Sequence, residues 1–123
     1  MKPTLEDAIR LAVEAHQGQK DKVGQPYILH PLRVMFRLTS DDERMVGVLH
    51  DVVEDTKYTF EDLRRMGYPE KILQALDGVT RRDNESYEDF VTRSRKDPIS
   101  RKVKLADLED NMDPHRKIGR AHV

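Results

Sequence analysis

The chain contains no cysteine and no tryptophan, and aromatic residues make up only 6% of it. Without cysteine there can be no disulfide, no thiolate nucleophile and no cysteine-based zinc site. With so few rings, the core has to be mostly aliphatic. A strong charge of either sign is also missing: 22 Lys and Arg stand against 23 Asp and Glu, a formal net charge of -1. No basic field attracts nucleic acid, and no nucleic-acid partner is expected. No apolar run approaches the roughly 20 residues that span a bilayer. The first residues carry Lys2, Glu6, Asp7 and Arg10, so no apolar leader region is expected either. The expectation is a cytoplasmic protein without a membrane partner. No repeat or low-complexity tract breaks the chain.

What is present reads as helix throughout. At 123 residues the chain has room for one domain with one core. Thr4 followed by Asp7 forms a loosened capping box, and Leu5, Ala8, Ile9, Leu11, Ala12 and Ala15 follow at helical spacing, predicting a first helix to about Gln17. His16 at its end reads as a dipole partner or a packed side chain rather than a ligand. Gly18 to Tyr27 is a polar loop holding Lys20, Asp21 and Lys22. His30-Pro31 then opens a short apolar helix with Pro31 in its first position. Ser40 with Glu43 caps a helix expected to carry Met45 to Asp55 unbroken. Thr59 with Asp62 begins another, which Gly67 and Pro69 stop. Ile72, Leu73, Leu76 and Val79 mark the next, Ser86 caps one bearing Tyr87, Phe90 and Val91, and Pro98 opens the last. No segment alternates in the manner of a strand. The fold class expected is all-α, with six or seven short helices.

The segment Val48 to Thr56, VLHDVVEDT, stands out. It places His50, Asp51, Glu54 and Asp55 in an otherwise apolar run, with His50 one turn from Glu54 and Asp51 one turn from Asp55. Burying such groups is costly unless something pairs with them, and a metal ion does so. His30 and Asp107 lie in comparably apolar settings, so the chain offers a set of two imidazoles and two carboxylates. Such a set suits Mn, Fe, Co or Zn, and spacing alone does not choose among them. A site of this kind with an open position acidifies water near neutral pH, and Glu54 and Asp55 are placed to orient that water or take its proton.

YILHP, VLHDVVEDT and KLADLEDN, in that order and spacing, resemble the motifs of the HD-domain phosphohydrolases. They are most similar to the (p)ppGpp hydrolase domain of the RelA/SpoT family and its small stand-alone relatives, from about Ala8 to Met112. The resemblance implies an all-α HD bundle with one Mn²⁺, or another divalent transition metal, on His30, His50, Asp51 and Asp107. It implies water positioned by Glu54 and Asp55, with Asn111 on the nucleotide sugar and Lys22 and Lys104 on phosphates. The reaction implied is removal of the 3′-pyrophosphate from guanosine 3′,5′-bis(diphosphate), the partner being that small nucleotide. Two alternatives stand beside it: an HD nucleotide phosphohydrolase of other specificity, and a metal- or nucleotide-binding module without turnover.

The sequence departs from the family in two places. The family loop usually has Arg-Lys before its Gly, the Arg packing on guanine, whereas this chain has Asp21-Lys22. Weakened guanine selectivity is expected. Leu105, Leu108 and Met112 form an apolar stripe on the last helix with little polar chain after it, so that helix is expected to be under-supported. Residues 118–123 match a translated frame of a common sequencing adapter. The HD domain is accordingly expected over 1–117, C-terminally short, with 118–123 a probable non-native tail in which Arg120 and His122 carry no function. The length is expected to exclude pyrophosphate transfer by a synthetase domain.

Overall fold

The computed structural model describes residues 2–112. The chain beyond them, including the expected domain end at 117, His115 and the 118–123 tail, lies outside the described residues.

Among the described residues there are eight helical segments and no strand, only an isolated bridge between Lys20 and Pro26. They are α1 Leu5–Ala15, α2 Leu29–Phe36, α3 Asp41–Leu49, α4 Val52–Asp55, α5 Phe60–Arg65, α6 Glu70–Gly78, α7 Tyr87–Ser94 and α8 Pro98–Asn111. The all-α class is as expected. Counting α3 and the single turn α4 as one interrupted helix gives seven, the upper end of the expectation.

Local sequence sets most of the helix starts. Thr4, Ser40 and Thr59 each accept a hydrogen bond from the backbone N–H three residues on, and the carboxylates of Asp7, Glu43 and Asp62 accept one from the backbone N–H of the cap, making three complete capping boxes. Ser86 caps α7 through the N–H of Asp89, and Asp97 caps α8 with Pro98 at its start. Helix α1 ends at Ala15, two residues before the expected stop, with His16 as its C-cap. Helix α2 begins at Leu29, so Pro31 is its third residue and not its first. Pro lacks an N–H that the first turn does not use, so both placements are tolerated.

Helix α3 forms the centre. Met45, Val46, Val48 and Leu49 are buried, packed among Ala8, Leu11 and Ala12 of α1, Val34 and Met35 of α2, Ile72, Leu73 and Leu76 of α6, and Val103 and Ala106 of α8. Gly47 lets α2 approach α3 closely: a β-carbon there would stand 2.6 Å from a methyl of Leu38 and 3.5 Å from the Met35 α-carbon. That approach brings the rings of His30 and His50 to a centroid separation of 5.2 Å. Helix α8 lies across α2 and α3 with Val103, Ala106 and Asp110 facing inward. Leu105, Leu108 and Met112 are left 57%, 37% and 64% exposed.

Candidate functional site: a histidine–aspartate metal centre

The expected unbroken helix from Met45 to Asp55 is in fact interrupted where the chemistry sits. The N–H of His50 reaches back to Gly47 O at 3.4 Å, a tightened final turn, and Asp51 takes φ -103°, ψ 0° before α4 begins. Sequence neighbours on a regular helix point about 100° apart. The break at Asp51 turns both side chains toward one centre, placing His50 Nε2 3.1 Å from Asp51 Oδ2. Backbone in this sparsely populated region is common at functional residues.

His30 and Asp107 complete the cluster from α2 and α8. His30 Nε2 lies 2.8 Å from Asp107 Oδ1 and 3.9 Å from Asp51 Oδ2, and His50 Nε2 lies 3.3 Å from Asp107 Oδ1. One ligand atom each from His30, His50 and Asp107 falls within 4.8 Å of the others, a candidate metal-binding triad. Asp51 borders it, its Oδ2 also accepting a 2.5 Å hydrogen bond from the Tyr27 hydroxyl.

The donor set fits a cation. His50 Nδ1 is 2.6 Å from Gly47 O, a carbonyl that only accepts, so Nδ1 carries a proton, and whenever the ring is neutral Nε2 presents a lone pair. That buried Nε2 has no hydrogen-bond partner among the described residues, although two carboxylate oxygens lie close by. His30 likewise has acceptors at both nitrogens, Asp110 Oδ2 at 2.7 Å and Asp107 Oδ1 at 2.8 Å. A neutral imidazole has one N–H and cannot satisfy both. The cluster calls for positive charge at its centre. The electrostatics say the same: burial alone would depress the His50 pKa, yet Asp51 and Asp107 outweigh it and raise the pKa well above the ordinary value. Burial pushes the Asp51 and Asp107 carboxyls up. The imidazoles more than offset this, and Asp51 is held down to about 2 while Asp107 is lowered further.

Glu54 and Asp55, on α4, are exposed at the rim of this cluster. Both carboxyls are raised, by partial burial first, then for Glu54 by Asp55 and Asp51 and for Asp55 by Asp51. The Arg81 backbone N–H partly offsets the rise at Glu54. A raised carboxylate is a better proton acceptor near neutral pH. Lys104 Nζ is 3.6 Å from Asp107 Oδ2 and 4.8 Å from the centroid of the Phe90 ring, so it stands beside the cluster. Asn111 Nδ2 donates to Asp107 Oδ1 at 3.4 Å. Lys22 is exposed on the Gly18–Tyr27 loop and does not join the cluster.

Several neighbours carry no sequence signal for their role. Tyr27 and Asp110 hold Asp51 and His30, and Asp110 is 1% exposed. His16, read as a dipole partner or a packed side chain, is buried beside Tyr27 with ring centroids 5.2 Å apart. Its Nδ1 meets Gln19 Oε1 at 3.0 Å, and Gln19 Nε2 donates to the Asp55 carbonyl at 3.0 Å, tying the end of α1 to the end of α4. Asp21 turns inward on its own loop: Oδ1 accepts from the N–H groups of Val23 at 3.0 Å and Gln25 at 2.9 Å.

Known proteins are similar to this chain in sequence and in fold. No family model matches the chain. Among curated proteins, a GTP pyrophosphokinase of Streptomyces coelicolor is 40% identical over 94% of this chain and 15% of its own length. A guanosine-3′,5′-bis(diphosphate) 3′-pyrophosphohydrolase of Aquifex aeolicus is 32% identical over 88% of this chain and 17% of its own. The bifunctional (p)ppGpp synthase/hydrolase SpoT of Escherichia coli is 30% identical over 94% of this chain and 20% of its own. The chain thus spans a fifth or less of each of these curated relatives. A solved structure, described as a metazoan ortholog of SpoT that hydrolyzes ppGpp and plays a role in starvation responses, superposes with a TM-score of 0.76 at 26% identity, covering 96% of this chain and 72% of its own. Along nearly its whole length this chain resembles the (p)ppGpp hydrolase domain of the RelA/SpoT family.

Proposed function

We propose that the chain is a metal-dependent pyrophosphohydrolase of guanosine 3′,5′-bis(diphosphate), acting in the cytoplasm. The observation that carries this is the meeting of His30, His50 and Asp107 ligand atoms within 4.8 Å, with His50 Nε2 left unpartnered among the described residues. The names of relatives similar over most of this chain support the substrate.

His30, His50, Asp51 and Asp107 would hold the ion, Mn²⁺ being the first choice and another divalent transition metal compatible with the same nitrogen and oxygen donors. Such an ion supplies Lewis acidity toward a phosphoryl oxygen and toward water. The remaining chemistry belongs to the chain. Asp55 and Glu54 orient the attacking water and take its proton, their raised pKa values matching that task. Lys104, beside Asp107, and Lys22, on the loop, neutralise phosphate charge, and Asn111 contacts the sugar. Water adds to the 3′-linked pyrophosphate, and guanosine diphosphate and pyrophosphate leave.

One observation favours a second reading, an HD phosphohydrolase of different base specificity. Asp21, which the resemblance sets where the family carries its guanine-packing Arg, has its carboxylate spent on loop N–H groups. A single screen tests both readings. Purified protein with Mn²⁺ is offered guanosine and adenosine nucleotides with and without a 3′-pyrophosphate, and products are identified by ion-exchange chromatography. Release of pyrophosphate from the guanosine 3′,5′-bis(diphosphate), abolished by chelator, is expected. Preference for another nucleotide supports the second reading, and no hydrolysis of any of them overturns both.

A further inference from the structure

Asp110 is three residues beyond Asp107 and so lies on the same side of α8 one turn later. Its side chain is 1% exposed, and a buried carboxylate is costly unless it is fully paired. Its partners come from α2: His30 Nδ1 is 2.7 Å from Oδ2, and Arg33 Nε is 3.0 Å from Oδ1 and 3.3 Å from Oδ2. Arg37 Nη2 stands 3.9 Å from Oδ1. His30 and Arg33, with Arg37 at the C-cap, recur along one face of α2, and Asp107 and Asp110 along one face of α8, so the two helices meet through a basic stripe and an acidic pair.

We propose that Asp110, itself held by Arg33, is a positioning residue for the metal centre. It fixes His30 in the tautomer that keeps Nδ1 protonated and turns the Nε2 lone pair toward Asp107 and Asp51. This rests on the reading of His30 as a metal ligand and deepens it. The Arg33 guanidinium donates to the same carboxylate, which leaves that carboxylate accepting from His30. The imidazole N–H is thereby committed to the side away from the ion. An imidazole ligand whose other nitrogen donates to a carboxylate is held in ring orientation and made more basic, and losing such a partner typically weakens metal binding by about 10–100-fold. Asp110 touches neither substrate nor water in this role. Its neighbour Asn111 does not substitute for it, because Asn111 points its amide at Asp107. Arg33 adds what a lone carboxylate lacks: it anchors the oxygens from a second residue of α2, so the acceptor cannot swing away from His30.

The first test needs no variant. Nitrogen chemical shifts of the His30 ring, measured in the Zn²⁺-loaded protein because Zn²⁺ is diamagnetic, should report a protonated Nδ1. A proton on Nε2 overturns the proposal. The second is calorimetric titration of Mn²⁺ into the parent protein, Asp110→Leu, Asp110→Asn and Arg33→Met. The dissociation constant should rise by about 10–100-fold for Asp110→Leu, and by less for Asp110→Asn, whose amide oxygen still accepts. Arg33→Met, which keeps the apolar stem, should fall between parent and Asp110→Leu. Turnover of Asp110→Leu should recover as Mn²⁺ is raised, whereas a residue that only supports the fold would lower the melting temperature without moving the metal requirement. Parental affinity in both Asp110 variants overturns the positioning role while leaving the metal centre intact. A parent that binds no Mn²⁺ overturns the metal reading itself. If Asp110→Leu does not fold, Asp110→Asn and the ring shifts decide.

Discussion

The Tyr27 hydroxyl donates to Asp51 Oδ2 across 2.5 Å, so the residue that ends the Gly18–Tyr27 loop also fixes a carboxylate of the candidate metal centre. Burial first, then Asp51, raises the Tyr27 pKa, which keeps the hydroxyl a donor throughout the physiological range. Tyr27→Phe removes one oxygen and leaves Asp51 short of a donor. Leaving a buried acceptor unpaired costs about 1–3 kcal/mol. The expected result is an unfolding free energy, from urea denaturation, lowered by that amount in chelator-treated protein, with a smaller loss in Mn²⁺, where the cation pairs with Asp51. Equal losses with and without metal would mean that the bond is unrelated to the centre.

Glu54→Gln and Asp55→Asn preserve side-chain shape and remove the charge that orients water or takes a proton. Each is expected to keep metal content and to lose about 10²–10⁴-fold in kcat. Both carboxyls are raised, so the acid limb of the parent kcat/KM profile should lie above the ordinary carboxylate range. Activity falls there as pH drops and the acceptor becomes protonated. Metal content by atomic absorption and a steady-state pH series check the two halves separately. Parental rates in both variants would make these acids structural.

Glu43 offers a pH dependence removed from the centre. It closes the α3 capping box and accepts from Lys102 at 3.0 Å, tying α3 to α8. The Lys102 hydrogen bond is the largest influence on its carboxyl. With the Thr39 and Ser40 N–H groups it outweighs burial and lowers the pKa from 4.5 to about 2. A carboxyl lowered on folding stabilises the protein above its unfolded pKa, and that stability is lost as pH falls through the folded value. Glu43 therefore contributes fully above about pH 4.5 and loses its contribution by about pH 2. Glu43→Gln should flatten this part of the stability curve, followed by urea unfolding, and lower stability near neutral pH by about 1–3 kcal/mol. An acid limb identical to the parent's would remove Glu43 from it.

Asp21→Arg separates the two things that Asp21 does. An Arg can stack on a base where an acid cannot, so the ratio of kcat/KM for the guanosine over the adenosine 3′,5′-bis(diphosphate) should rise. The substitution also deletes both acceptor bonds to Val23 and Gln25, so KM for both nucleotides should rise together. Competition assays give the ratio and initial rates give KM. A parent protein already strongly selective for guanosine would remove the premise.

The helices were legible in the sequence where their signals are local. The capping boxes of Thr4, Ser40 and Thr59 lie three residues from their partners, and Gly67, at φ 99°, ends α5 in a conformation that suits glycine. The break at His50-Asp51 was not legible, because the apolar pattern of Val46 to Val53 runs through it without a glycine or proline at the joint. What bends the chain there is tertiary: Asp51 is drawn to Tyr27, 24 positions earlier. The same holds for Asp110, whose partner His30 is 80 positions away. His30, His50, Asp51 and Asp107 stood out as polar groups in apolar stretches. Asp110 sat in a polar run with Glu109 and Asn111 and did not. Its inward position, with that of Asp107, also sets the rotation of α8, which is why Leu105 and Met112 face outward despite their apolar spacing.

The number of metal ions bound by the histidine–aspartate cluster is the most direct check on this reading of the site. Mn²⁺ titration of chelator-treated protein, with bound metal counted by atomic absorption, should give one ion per chain for the parent and none for His50→Ala, whose lost Nε2 is the atom left unpartnered in the cluster. No bound metal in the parent, or a full equivalent retained by His50→Ala, would contradict it.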